Sequence, residues 1–95
     1  MEDMITRAKK KYREYLISLH KAEQEKKKLK ALMGDPQIEV WTKTYIKQDI
    51  EYKEEDCRVA YGRVSAAEHI LVSILGIPLK ELKNIQGEVK RRKIE

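Results

Sequence analysis

Apolar residues recur through the first third of the chain at alternating intervals of three and four. Ile5, Ala8, Tyr12, Tyr15, Leu19, Ala22, Lys26, Leu29 and Met33 keep this spacing, with Lys26 the one charged member. Such a heptad pattern marks one face of a long helix. Leu16 widens the stripe at its middle. Asp3 has the side chain of an N-cap, and acids at positions 2 and 3 suit the positive end of the helix dipole. Lysines at 26–28 and 30 suit the negative end. The stop is predicted at Gly34-Asp35-Pro36. Gly34 is expected in the left-handed C-terminal position, Asp35 as the cap of the next helix and Pro36 in its first turn.

A second seam runs through Ile46, Ile50, Lys53, Cys57, Ala60, Val64, Ala67, Leu71 and Ile74. The stretch before it, IEVWTKTYI at 38–46, is rich in β-branched and aromatic residues. As a strand it would have no partner elsewhere in the chain, and its backbone groups would go unpaired. It therefore reads as the start of helix two, with Trp41 and Tyr45 four apart on one face.

Two seams that meet at one turn predict an antiparallel helical hairpin. The small Ala8 and Ala22 beside the bulky Tyr12 and Tyr15 suit an internal seam better than a regular two-stranded zipper. Folding about residue 35 would oppose residues whose numbers sum to about 70. The acidic run at 49–56 would then lie beside 14–21. Gly62 costs about 1 kcal/mol relative to Ala in a helix interior, and Ser65-Ala-Ala-Glu68 has the form of a capping box. A break at 62–65 is the alternative, but the seam holds register there, so a continuous or kinked helix is expected. Gly76 and Pro78 predict the next corner, and Leu79, Leu82, Ile85 and Val89 a short third helix. The fold class is thus all-α, one domain over 1–95: helix one at about 3–33, helix two at about 36–75 and helix three at about 78–90.

The composition fits long elements. The 95 residues include only four Gly and two Pro, and 39% of them are charged. So short a chain builds a thin core, which self-association would enlarge. A net charge of +5 favours acidic partners, nucleic acid among them, and argues against a strongly acidic DNA mimic. The single Cys forms no intramolecular disulfide and fits a reducing compartment. No run of 18 or so apolar residues and no basic signal-peptide start is present. The expectation is a soluble cytoplasmic protein with no membrane partner.

The corner at 71–86 fits a helix-turn-helix template at five of six positions. Leu71 and Leu75 take the buried sites of the first helix, Ile77 follows the turn glycine, and Leu82 and Ile85 are the buried sites of the second. Val72 departs from it, standing where a small residue belongs. Lys80, Lys83, Asn84 and Gln86 would then face outward, chemically suited to phosphates and base edges, with Lys90, Arg91 and Arg92 in the basic run 90–93 behind them. The long seam into Ile74 argues the other way, for a structural corner. Basic residues Lys9, Lys10 and Arg13 are expected at the same end of the hairpin as 90–93.

No catalytic pattern accompanies these helices. Cys57 lies on a seam, where a free thiol behaves as a small apolar residue. His20 is expected near Ile50 and far from His69, and no metal-ligand spacing, phosphate loop or nucleophile motif is present. No enzyme activity, metal or cofactor is expected. Trp41, Tyr45 and Tyr52 are the candidate partner-binding residues, because Tyr and Trp join a wide apolar face to a polar tip. The first functional expectation is a non-enzymatic helical module that binds another protein, its own second copy included. In character it resembles small regulatory or accessory proteins of phages and mobile elements. The alternative is a DNA-binding regulator using 77–90.

Overall fold

The computed structural model describes residues 3–94, with side chains through Arg92. It contains α1 (Met4–Met33), α2 (Val40–His69) and α3 (Leu79–Ile94). The two long helices pack against each other as an antiparallel hairpin, and the shorter third follows. No helix among the described residues is long and apolar enough to cross a membrane.

Asp3 caps α1: its Oδ1 accepts the Thr6 amide at 2.7 Å. That bond to the ionised form holds the Asp3 carboxyl below its ordinary range. Glu2 lies outside the described residues. Gly34 ends α1 in right-handed geometry, with φ −85°. It does not take the left-handed position expected of it. Asp35 turns its carboxylate to the Gln37 amide at 2.9 Å, closing a turn local to itself. Pro36 sits in that turn, and α2 begins at Val40 with Glu39 as its cap residue. The connection thus occupies 34–39, and α2 starts later than the glycine and proline predict.

The longer connection slides the hairpin register. Glu25 pairs with Lys53 at 2.5 Å and Lys30 with Glu54 at 3.9 Å. Tyr12 bonds Glu68 at 3.0 Å. The acids at 49–56 therefore lie beside residues 25–30, where the lysines cluster, and not beside 14–21. α2 runs unbroken through Gly62. Its Ser65–Glu68 sequence forms no cap, because Glu68 instead accepts from Tyr12.

The end of α2 widens into a π-helical turn, Ile70–Ile74. Its Leu75 amide donates to the Ile70 carbonyl at 2.9 Å, one residue further back than in an α-helix. The extra residue rotates the chain. Ile74, expected on the seam, is 67% exposed, while Leu71 and Ile77 are buried. Gly76 then takes φ +71°, where a Cβ would strain the backbone, and the Ile77 amide closes the end onto the Leu71 carbonyl at 2.9 Å. Pro78 stands before the first residue of α3, its carbonyl accepting from Glu81 and Leu82.

α3 runs parallel to α1. Glu81 near its start meets Lys9, Glu88 meets Arg13 at 3.0 Å, and Val89 and Arg92 line a cleft with Ile17, His20 and Gln24. It therefore lies along the side of the hairpin and does not close its end. One core results: Tyr12, Leu16 and Leu19 of α1, Ala60, Val64, Ala67 and Leu71 after the midpoint of α2, then Ile77, Leu82, Ile85 and Val89. The other half of the hairpin has no third helix over it. Ile46 is buried there, apart from the main cluster. The molecule is accordingly elongated, 53 × 25 × 24 Å.

Candidate functional site

Two surfaces carry the residues singled out in the sequence. The first is the outer side of α2. Trp41, Tyr45 and Tyr52 are 64%, 63% and 67% exposed. Their four-residue spacing sets the Trp41 and Tyr45 rings edge to face, with centroids 6.3 Å apart and planes at 89°. The Trp41 indole N–H donates to the carboxylate of Glu39, which ties the ring to the start of the helix. Tyr52 follows Tyr45 by seven residues and so returns to nearly the same face, displaced by ~20°.

The structure extends this stripe past the residues named from sequence. Val59 and Ile70 are exposed apolar residues on the same side, with Ala66 between them. Tyr45, Tyr52, Val59 and Ala66 repeat every seven residues. That second heptad register, offset from the buried seam, was the available signal for Val59 and Ala66. Beside Ala66 and Ile70 lies an open cleft of about 310 Å³. Its other members are Arg63 and Ala67 on α2 and Ala8, Lys11 and Tyr15 on α1. Tyr61, 64% exposed, points away on the opposite side of α2 and lines a different groove with Leu19 and Cys57.

The second surface is the outward face of α3. Lys80, Lys83, Asn84, Lys90 and Arg91 are all exposed. The acids Glu81, in the first turn, and Glu88, at mid-helix, turn the other way: Glu81 pairs with Lys9, and Glu88 with Arg13. The Arg13 guanidinium holds the Glu88 carboxyl below its ordinary range. Gln86 does not face outward as expected. Its Nε2 donates to the Tyr12 hydroxyl at 2.8 Å and reaches Glu68 at 3.5 Å. Arg92 folds back onto Glu88 at 3.2 Å. The side chain of Lys93 lies outside the described residues. Because α3 runs parallel to α1, residues 90–92 sit beside 17–24 and not beside Lys9 and Lys10. The expected common basic end is therefore not assembled.

Tyr12 ties the three helices together. It is fully buried, donates to Glu68 of α2 and accepts from Gln86 of α3. Burial pushes its phenol up to about 12, with Glu68 adding to the rise and Gln86 opposing it. In the distal half, Lys53 holds the Glu25 carboxyl down, and Glu25 holds the Lys53 ammonium up.

His20 faces α3, lining the cleft with Val89 and Arg92, and is not placed near Ile50 as expected. Cys57 is a half-buried free thiol. No group of three or more His, Cys, Asp or Glu among the described residues is placed to hold a metal ion. Neither a protein-family model, nor a curated protein, nor a solved structure matches the chain.

Proposed function

We propose that this protein is a helical interaction module whose working surface is the outer stripe of α2. The observation that carries this reading is the exposure of Trp41, Tyr45 and Tyr52. Three large exposed rings on one face of one helix, followed by the exposed Val59 on the same side, give this face more apolar area than a solvated helix needs, which is the character of an interaction site. Rings also order at small entropic cost on binding, which is why Trp and Tyr dominate interface hot spots. The hairpin presents them well away from the three-helix core, so a partner can dock without disturbing it. Radical footprinting of the chain in its native cells and in dilute purified form tests this. Trp41, Tyr45 and Tyr52 are expected to be protected in cells, and Tyr61 is not. Equal labelling of all four in both states would remove the reading.

A second reading, nucleic-acid binding through α3, is favoured by a separate observation. The carboxylates of Glu81 and Glu88 are engaged with α1, so the outward face offers Lys80, Lys83, Lys90 and Arg91 with Asn84 among them. Cations on one helix face suit phosphate contact, and Asn suits a base edge. Binding of duplex DNA at low salt, lost in Lys83→Glu/Asn84→Ala, would support it; no binding at low salt would remove it.

A further inference from the structure

We infer that the outward face of α3 is a seat for the phosphate backbone of duplex nucleic acid, centred on the bare backbone at Gly87. This rests on the nucleic-acid reading of α3 above. It specifies the form of nucleic acid bound and the point of closest contact.

Gly87 stands inside α3, where glycine is the least favourable residue after proline. Nothing in the fold asks for it there. A Cβ added at Gly87 meets no atom within 4 Å, and its φ is not positive. Residues three and four apart are neighbours on a helix surface. For Gly87 these are Lys83, Asn84, Lys90 and Arg91, all of them exposed, and Lys80 lies one heptad before it. The missing side chain therefore leaves a shallow recess ringed by hydrogen-bond donors, three of the four being cations. Glycine is the residue that lets a ligand come close to the backbone. A recess ringed in this way suits an anion.

The charges say which anion. Glu81 and Glu88 are the acids among the described residues of α3, and Lys9 and Arg13 hold both against α1. No carboxylate of this helix competes for the recess. Lys80 to Arg91 extends over ~16 Å of helix, longer than one phosphate group, so the face fits a row of them. Leu82, Ile85 and Val89 keep the apolar side of α3 in the core, which leaves no apolar face to insert into a lipid surface. No aromatic residue follows Tyr61 in the chain, so α3 offers no ring on which the bases of a single strand could stack. A duplex is the polyanion that remains. Gln86 is turned inward to Tyr12, and Asn84 is left as the one amide on this face suited to a base edge. The contacts are therefore mostly to phosphates, which position a duplex without reading its sequence.

Fluorescence anisotropy of the full chain at low salt tests this, with two duplexes of unrelated sequence and a single strand of the same length. Both duplexes are expected to bind with similar affinity, and the single strand more weakly. Gly87→Leu is expected to weaken duplex binding about tenfold while raising the melting temperature, because leucine favours the helix and fills the recess. Gly62→Leu is the control. It too stands in a helix with open space at the Cβ, but its surface neighbours are Arg58, Val59, Ser65 and Ala66. It is expected to raise the melting temperature and leave binding unchanged. Equal weakening by both substitutions, or none by Gly87→Leu, overturns the recess. The nucleic-acid reading then still stands if Lys83→Glu/Asn84→Ala abolishes binding. Tighter binding of the single strand, binding to phosphatidylserine vesicles but not to duplex, or a preference of ~10³ or more for one duplex overturns the inference as well. If no duplex binds at low salt, the inference and the reading beneath it both fall.

Discussion

The hydroxyl of Tyr12 lies 3.0 Å from the carboxylate of Glu68, joining the first third of α1 to the end of α2. The Gln86 amide of α3 reaches the same hydroxyl at 2.8 Å. One phenol therefore orients all three helices around a core that otherwise depends on non-directional apolar burial. Removing the hydroxyl with Tyr12→Phe leaves Glu68 and Gln86 short of a partner, and the expected loss is about 1 kcal/mol in urea unfolding. Leu71→Ala, at a site with no exposure, is expected to cost about 2–5 kcal/mol.

The same phenol gives a pH signature. Its folded value of about 12 lies above its ordinary 10. The neutral form is thus favoured by folding. Its stabilisation is complete below pH 10 and is lost as pH rises through 12. Ultraviolet titration at 295 nm is expected to show a phenol ionising near pH 12 that is absent in Tyr12→Phe.

At low pH the acids take over. Glu88 is held down by Arg13 and Glu25 by Lys53. Their contribution is present above the ordinary carboxylate range and falls away as pH drops through their lowered values. In thermal melts, Glu88→Gln is expected to lower stability at neutral pH and to converge with the unaltered chain in acid. The effect will be small, because Arg13 and Glu88 are both partly solvated.

Two glycines should respond in opposite directions. At Gly62 an added Cβ meets nothing within 4 Å, and the residue is helical and exposed. Gly62→Ala is therefore expected to stabilise by up to about 1 kcal/mol. Gly76 has φ +71°, so Gly76→Ala is expected to destabilise by about 1 kcal/mol even though no atom obstructs the methyl group. Paired thermal melts check both signs.

For α3, the salt dependence of any duplex binding is the useful quantity. Each phosphate contact contributes a slope of ~0.9 in log–log form. Lys83→Glu is expected to reduce the slope by about one contact or more, whereas Gln86→Ala, bonded inward to Tyr12, is expected to leave it unchanged while lowering stability.

Much of this architecture is legible in the residues. The 3-4 spacing through Tyr12 and Leu19, and again through Ala60, Val64 and Ala67, identifies the seam, because a helical face buried against another must be apolar at that period. The corner at Gly76 was equally plain, since only glycine takes its conformation without strain. What failed was anything set by geometry between elements. The register slipped because Asp35 spends its carboxylate on a local turn and α2 starts at Val40, which no periodicity reports. Ile74 was misplaced because a π turn preserves helical sequence while rotating the chain. Gln86 looked like a surface residue because its partners, Tyr12 and Glu68, come from remote parts of the chain. Trp41, Tyr45 and Tyr52 stand out in the sequence for their chemistry alone; their exposure depends on how α2 packs, and with it the repeat to Val59 acquires a meaning.

Site-specific photo-crosslinking tests the central claim most directly. A photoreactive side chain is placed at position 52, on the stripe, or at position 61, equally exposed on the opposite side of the same helix. Each chain is irradiated in its native cells. A discrete adduct from position 52 and none from position 61 is the predicted result. Equal adducts from both positions, or none from 52 in a folded chain, would contradict the assignment of the α2 stripe as the working surface.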